Sequence, residues 1–339
     1  MGRKEWQRYD KREQALELVR SGRRLTAEEI AEIKQGYSGI GGLCRSDWSS
    51  GAFFTPQVVV RFVHELIGIH DSPGRVIEPS CGGGAFLEGI DAPRVVGIEP
   101  NRDSHSVAKA CYPGAQFLND NAEEVFPFDK PSRHEGQFEF CIGNPPFSLN
   151  INWAGEIAEG KMKKLPSEIV FMEIAYRAVA PGGKIAMIVP DSLLSTSRAL
   201  PARTWLMDRC YVRAVVSLPT ETFYHAGTSV KTSILYLEKF PEGITKESMD
   251  EDYKVFMCIC EQIGWDSRGR ATDKCDLPVL IAAYHDFVST GDTRQEQDIE
   301  QPDQVQVQEP GIPPLIHPVA ETPSNEEEER PKYAQLGLF

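Results

Sequence analysis

The chain has 339 residues, 41% of them hydrophobic and 25% charged, a composition that suits a globular protein with one sizeable core and some appendages. No apolar run approaches the roughly 18 residues of a membrane span, and the charged N-terminus excludes a secretory signal, so a cytoplasmic chain with no membrane association is expected. The eight cysteines are scattered, and only Cys258 and Cys260 lie close together. No second pair or histidine cluster completes a metal site, so reduced thiols and no metal are expected.

Net charge is −14, which at first opposes a nucleic-acid partner. Eleven acids and three bases in residues 291–339 give that stretch −8, leaving −6 for the rest. Within the rest, bases cluster: Arg3, Lys4, Arg8, Lys11, Arg12, Arg20, Arg23 and Arg24 near the start, then Lys161, Lys163 and Lys164. Each cluster reads equally as a phosphate contact or a solvated face.

In chain order, residues 5–35 read as one or two helices, the second opened by a Thr26–Glu29 capping box. YSGIGGL (37–43) is a glycine-rich loop. From Thr55 onward, Val59, Phe62, Val63, Leu66 and Ile67 mark a helix with one apolar face. β-like runs follow at 75–78, 94–99, 138–143, 184–190, 213–219 and 233–239, alternating with helical stretches. That alternation predicts an α/β fold with a mostly parallel sheet covered on both faces. The last run follows Phe223 too closely for a crossover helix, so it is expected antiparallel. Residues 291–333 are rich in Gln, Glu, Asp and Pro and carry no Phe, Trp or Tyr before Tyr333, which predicts a disordered acidic linker.

EPSCGGGAF (78–86) falls where a strand ends and a helix is expected to begin. Glycines there let backbone approach a ligand with no Cβ in the way. Such turns serve many nucleotide folds, and alone this one reads as readily as a tight turn. Glu99, at the end of the next strand, is placed to accept hydrogen bonds from a ribose. No Gly-Lys-Ser/Thr follows, which disfavours a nucleoside triphosphate.

GNPPF (143–147) follows an apolar strand. Two prolines stiffen the loop and remove two donors, leaving carbonyls to accept. The Asn144 side-chain oxygen and the Pro145 carbonyl can together take both hydrogens of a planar amine, turning its lone pair toward a methyl sulfonium. Phe147 offers a face for stacking an extruded base.

These motifs, in this order, resemble the gamma-class adenine-N6 methyltransferases of DNA, which include type I modification subunits and fused type II enzymes. The resemblance covers about residues 36–290. It implies a Rossmann-like class I fold with a seven-stranded sheet, S-adenosylmethionine as cofactor and adenine in DNA as substrate. It further implies a catalytic Asn144, Pro145, Pro146 and Phe147. The cofactor contacts it implies are Phe54 and Thr55 in GAFFTP, Glu78, Pro79, Ser80, Gly82 and Gly84, the ribose acid Glu99, and Asn144. Asp120 would lie near the cofactor adenine, with Asn119 or Asn121 as substitutes. Phe223 would stack on the target base, with Tyr224 in reserve. IGWDSRGR (263–270) resembles the closing segment of that catalytic domain.

The expected organisation is a helical segment over 1–45 that contacts DNA, a catalytic domain over 46–290, the linker 291–333 and a terminal peptide 334–339. Only the polar tail follows residue 290, so sequence recognition is expected from short loops or from a separate specificity subunit. QLGLF resembles the bacterial sliding-clamp-binding motif, with Gln335, Leu336, Leu338 and Phe339 as its contacts. The remaining alternatives are methylation of adenine in RNA or of a protein glutamine.

Overall fold

The computed structural model describes residues 3–34, 37, 55–249 and 252–290, with side chains from Lys11 onward. The chain opens with α1 (Arg3–Arg20) and α2 (Ala27–Ile33). The capping box forms as expected: Thr26 Oγ1 accepts from Glu29 N at 3.2 Å, and Glu29 returns by accepting from Thr26 N at 2.9 Å. Helix α3 (Gln57–Ile67) turns its apolar stripe inward and ends on Gly68, whose φ of 63° suits a residue without Cβ.

Among the described residues, eight strands form one sheet in the order β10-β8-β9-β7-β4-β1-β2-β3. They are β1 (Val76–Glu78), β2 (Val95–Ile98), β3 (Gln116–Leu118), β4 (Phe138–Gly143), β7 (Val179–Pro190), β8 (Cys210–Ser217), β9 (Thr232–Lys239) and β10 (Phe256–Ile259). Every pairing is parallel except those of β9, which runs antiparallel between β7 and β8, as the short lead from Phe223 requires. Two hairpins stand apart: β5 (Asn150–Trp153) with β6 (Lys163–Pro166), and β11 (Ile263–Trp265) with β12 (Ala271–Cys275).

The expectation of seven strands is corrected to eight. The extra strand, β10, joins the edge alongside β8 and leaves Met257 and Ile259 exposed, so it lacks the buried alternation that marks a strand in sequence. One face of the sheet packs on α1, α2, α3, α4 (Arg102–Cys111) and α9 (Leu277–Thr290), through Leu16, Ile33, Phe62, Val107 and Ile281. The other packs on α5 (Ala122–Val125), α6 (Ser167–Ala178), α7 (Asp191–Ser195) and α8 (Leu200–Met207), through Ala122, Met172, Leu193 and Leu206. Both faces are covered, which is why residues 140–142 of β4, 185–189 of β7 and 234–237 of β9 are buried whichever face they point to. The described cysteines are free thiols.

Candidate active site

The parallel strands all end on one side of the sheet, and the predicted site residues follow those ends. Glu78 closes β1 and is buried. The turn after it does not enter an α-helix, contrary to expectation, but a single 3₁₀ turn over Ala85–Leu87. Left-handed glycines at 82, 84 and 89 break the backbone too often for an α-helix to propagate. At Gly84 (φ 89°) a Cβ would stand 2.5 Å from the Tyr112 ring, so that aromatic lies directly on the turn. Tyr112 is itself held, donating to Glu88 at 3.1 Å while Glu88 pairs with Lys34 at 2.6 Å. From α3, buried His64 donates to the Phe86 carbonyl at 2.8 Å, and burial pushes its pKa down to about 4, so the ring is neutral.

Glu99 follows β2 and closes over the turn: its carboxylate accepts from Gly82 N at 2.9 Å and Asn101 N at 2.7 Å. Burial raises its pKa above the ordinary carboxylate value. Burial, and then the charge of Glu99, raises that of Glu78 much further. Glu78 Oε2 and Ser80 Oγ are buried with no hydrogen-bond partner. Buried polar atoms are rarely left so, and a cationic ligand with hydroxyl donors is what two crowded carboxyls and an orphan hydroxyl would satisfy. S-adenosylmethionine has that chemistry, and the residues fit it. Pro79 is buried.

Asp120, beyond β3, is exposed and accepts from Asn121 N at 2.9 Å. Its neighbour Asn119 reaches the β2 end instead, donating to the carbonyls of Glu99 (2.8 Å) and Pro100 (3.0 Å). A cavity of about 440 Å³ takes in Asn119 and Asp120 together with Lys130, Arg133 and His134, but none of Glu78, Glu99 or Asn144 lines it.

At the end of β4, Asn144 Nδ2 donates to the buried Thr55 hydroxyl at 3.2 Å, joining two motifs 89 positions apart. That bond orients the amide and turns Oδ1 away from Thr55. Pro145 is buried. The Pro146 carbonyl accepts from Ser167 Oγ at 2.6 Å. Phe147 (7% exposed) and Phe223 (1%) belong to one apolar cluster, whereas Tyr224 is 44% exposed and turned outward.

Sequence reasoning missed the braces. Trp265, in the β11–β12 hairpin, donates from Nε1 to the Glu221 carbonyl at 2.7 Å, and a Cβ on Gly269 would meet the Tyr224 ring at 2.2 Å. The hairpin thus buttresses the 220–226 turn that carries Phe223. Its own bend is tied by Asp266, which accepts from Arg268 N and Arg270 N at 2.9 Å each. Three bases of the N-terminal cluster engage partners within the chain: Arg20 pairs with Asp103 at 3.3 Å, Arg23 with Glu29, and Arg12 lies over the Tyr37 ring. Of the later lysines, Lys163 pairs with Glu159 at 3.2 Å, while Lys161 and Lys164 are exposed. Phe54, the 291–333 linker and Gln335, Leu336, Leu338 and Phe339 lie outside the described residues.

Comparison with known proteins bears on the glycine turn and the NPPF loop together. The family described as N-6 DNA Methylase matches residues 44–258, more than half of the chain and both motifs. The chain belongs to the N-6 DNA methylase family. Curated relatives include Defense against restriction protein B of Escherichia phage P1, 27% identical over 247 residues, which are 71% of this chain and 10% of that protein. The StySPI type I methylase subunit of Salmonella potsdam is 36% identical over 223 residues, covering 56% of this chain and 40% of that one. The chain thus spans less than half the length of either relative. A Listeria monocytogenes protein assigned to the class I S-adenosylmethionine-dependent methyltransferases superposes with a TM-score of 0.56 at 15% identity, over 81% of this chain and 89% of that one. The fold is accordingly that of the class I methyltransferases. Among the described residues no helix is long and apolar enough to cross a membrane, and no cluster of three or more His, Cys, Asp or Glu side chains could hold a metal ion.

Proposed function

We propose that this chain transfers a methyl group from S-adenosylmethionine to N6 of adenine in DNA. The observation that carries the reading is the Thr55–Asn144 bond, which fixes the amide of the NPPF loop at the same strand ends as the Glu78–Glu99 turn. When bound, S-adenosylmethionine supplies an electrophilic methyl on a sulfonium. Glu78, Ser80 and Glu99, with backbone of Gly82 and Gly84, would hold it. Asn144 Oδ1 and the Pro145 carbonyl accept from the two amine hydrogens, so the nitrogen presents its lone pair and becomes pyramidal as it reacts. Phe147 and Phe223 hold the extruded base between apolar surfaces. No general base of raised pKa is needed, because the amine proton becomes acidic as nitrogen is alkylated.

DNA is favoured over RNA or a protein glutamine by the family and by its restriction-modification relatives. Exposed Lys161 and Lys164, on the hairpin directly after the NPPF loop, are candidate contacts to the DNA backbone. The motif order supports the gamma class. Relatives described as methylase subunits favour a separate specificity subunit, and the QLGLF ending favours a sliding-clamp contact through Gln335, Leu336, Leu338 and Phe339. The clamp reading predicts binding to purified clamp that deletion of 335–339 abolishes.

The test of the activity is transfer of labelled methyl to unmethylated DNA, with N6-methyladenine identified by mass spectrometry and Asn144→Ala as control. Product absent from that control supports the reading. Cofactor binding without product, even when a specificity subunit is supplied, overturns it.

A further inference from the structure

The NPPF loop does not hold its shape alone. Its return path is met at Pro146, Ser148 and Leu149 by the first turn of α6. Ser167 is fully buried and makes three hydrogen bonds to the loop. Its hydroxyl donates to the Pro146 carbonyl at 2.6 Å and accepts from Leu149 N at 3.2 Å, while its own N–H donates to the Leu149 carbonyl at 2.7 Å. Glu168, 6% exposed, accepts from Ser148 N at 2.9 Å. Ser148 has φ of 59°, a left-handed conformation that a residue with a Cβ adopts only when its surroundings impose it. That residue reverses the chain immediately after the Phe147 ring.

The two carbonyls of the proline pair are thereby made unequal. Pro146's is engaged from below by Ser167, and among the described residues none donates to Pro145's. Resting on the reading given above, we propose that Ser167 and Glu168 are positioning residues for methyl transfer. Ser167 selects which proline carbonyl faces the amine, and Glu168 sets the reversal at Ser148 that aims Phe147. Neither touches the reacting atoms. Both sit on a helix buried nearly all round, so the loop is referenced to the core and not to solvent.

The experiment compares single-turnover methyl transfer, cofactor affinity and amide exchange in the full chain and in Ser167→Ala, Ser167→Thr, Glu168→Gln and Ser148→Gly. Sub-ångström displacement of an acceptor costs rate and not ground-state affinity. Ser167→Ala should therefore slow transfer roughly 10- to 100-fold while cofactor affinity stays within about twofold. Ser167→Thr, which keeps the hydroxyl, should recover most of the rate. Glycine tolerates φ of 59° unaided, so the Glu168→Gln defect should shrink in the Ser148→Gly background. Wild-type rates in Ser167→Ala, or rate and affinity falling together with no recovery by threonine, would overturn the proposal. Should the wild-type chain transfer no methyl to DNA even with a specificity subunit supplied, the functional reading fails separately. Exchange at the Ser148 and Leu149 amides then decides the positioning claim: unchanged protection in Ser167→Ala refutes it, and faster exchange there with β4 unaffected sustains it.

Discussion

Glu173 offers the sharpest test of how the segment after the NPPF loop is held. It lies on α6, is 1% exposed, and accepts three hydrogen bonds. Trp153 Nε1 and Ile157 N donate to Oε2 at 2.8 and 3.1 Å, and Glu156 N donates to Oε1 at 2.8 Å. The packing is tight enough that a Cβ on Gly155 would fall 2.1 Å from Oε1. Glu173→Gln preserves shape and leaves one carbonyl oxygen for Trp153 and Ile157, but sets an amide nitrogen against Glu156 N–H. One charge-assisted bond is lost, worth about 1.5–3 kcal/mol, and two more become neutral and weaker. Relief of the buried charge offsets part of this, so the expected loss is about 2 kcal/mol. Glu173→Ala strands all three donors and should cost about 4–5 kcal/mol, at the upper end of single-residue effects. Urea denaturation measures both: with an m-value of about 3 kcal/mol/M for a chain of this size, the glutamine variant's midpoint should fall by about 0.7 M. A glutamine variant as stable as the parent, or more so, would show that desolvation of the carboxylate outweighs its bonds and would refute the reasoning.

Gly84→Ala combines a φ of 89° with a Cβ 2.5 Å from Tyr112, so a loss of about 2–4 kcal/mol is expected, visible as a lower melting temperature and weaker cofactor binding. An unchanged melting temperature would mean that the ring yields freely. Glu78 has its pKa raised well above the ordinary value by burial and then by Glu99, so the folded state holds this proton more tightly than the unfolded state. Its stabilising contribution is complete below the ordinary carboxylate pKa and is lost as pH rises toward the folded value. The melting advantage of Glu78→Gln over the ligand-free parent should therefore widen as pH rises above the ordinary carboxylate range, and an offset independent of pH contradicts the assignment. Thr232 Oγ1 is buried with no partner, so Thr232→Val should stabilise the protein by about 1 kcal/mol in urea, and destabilisation would reveal a bond to that hydroxyl.

What could be read from the sequence was whatever carries a local chemical signature. The Thr26–Glu29 box, the apolar stripe of α3, the glycines after Glu78 and the NPPF loop each announce themselves within a few residues. The antiparallel entry of β9 followed from chain length alone. Strand β3 escaped notice because three partly exposed residues have no pattern to detect, and β10 because its outward side chains are Met257 and Ile259. Helix α6 was the largest omission. Ser167, Glu168 and Glu173 look like ordinary polar residues in SEIVFMEIAYRA, yet the helix is buried almost all round and each finds its partner in the segment just before it. The hairpin at Trp265 was noticed as a motif, but its support of the Phe223 turn depends on contacts 44 positions apart.

The place of β9 bears on how this molecule is made. Strand β8 touches the rest of the sheet through β9 on one side and β10 on the other, and both come later in the chain. While residues up to 231 emerge from the ribosome, β1, β2, β3, β4 and β7 can assemble, but β8 has no strand to pair with and its apolar residues stay without a lattice. Only when 232–239 enters between β7 and β8 is β8 joined to the sheet, and β10 then pairs with its outer edge. Until that segment is made, β7 and β8 each present an unpaired strand edge, the feature of a sheet that invites pairing with another chain.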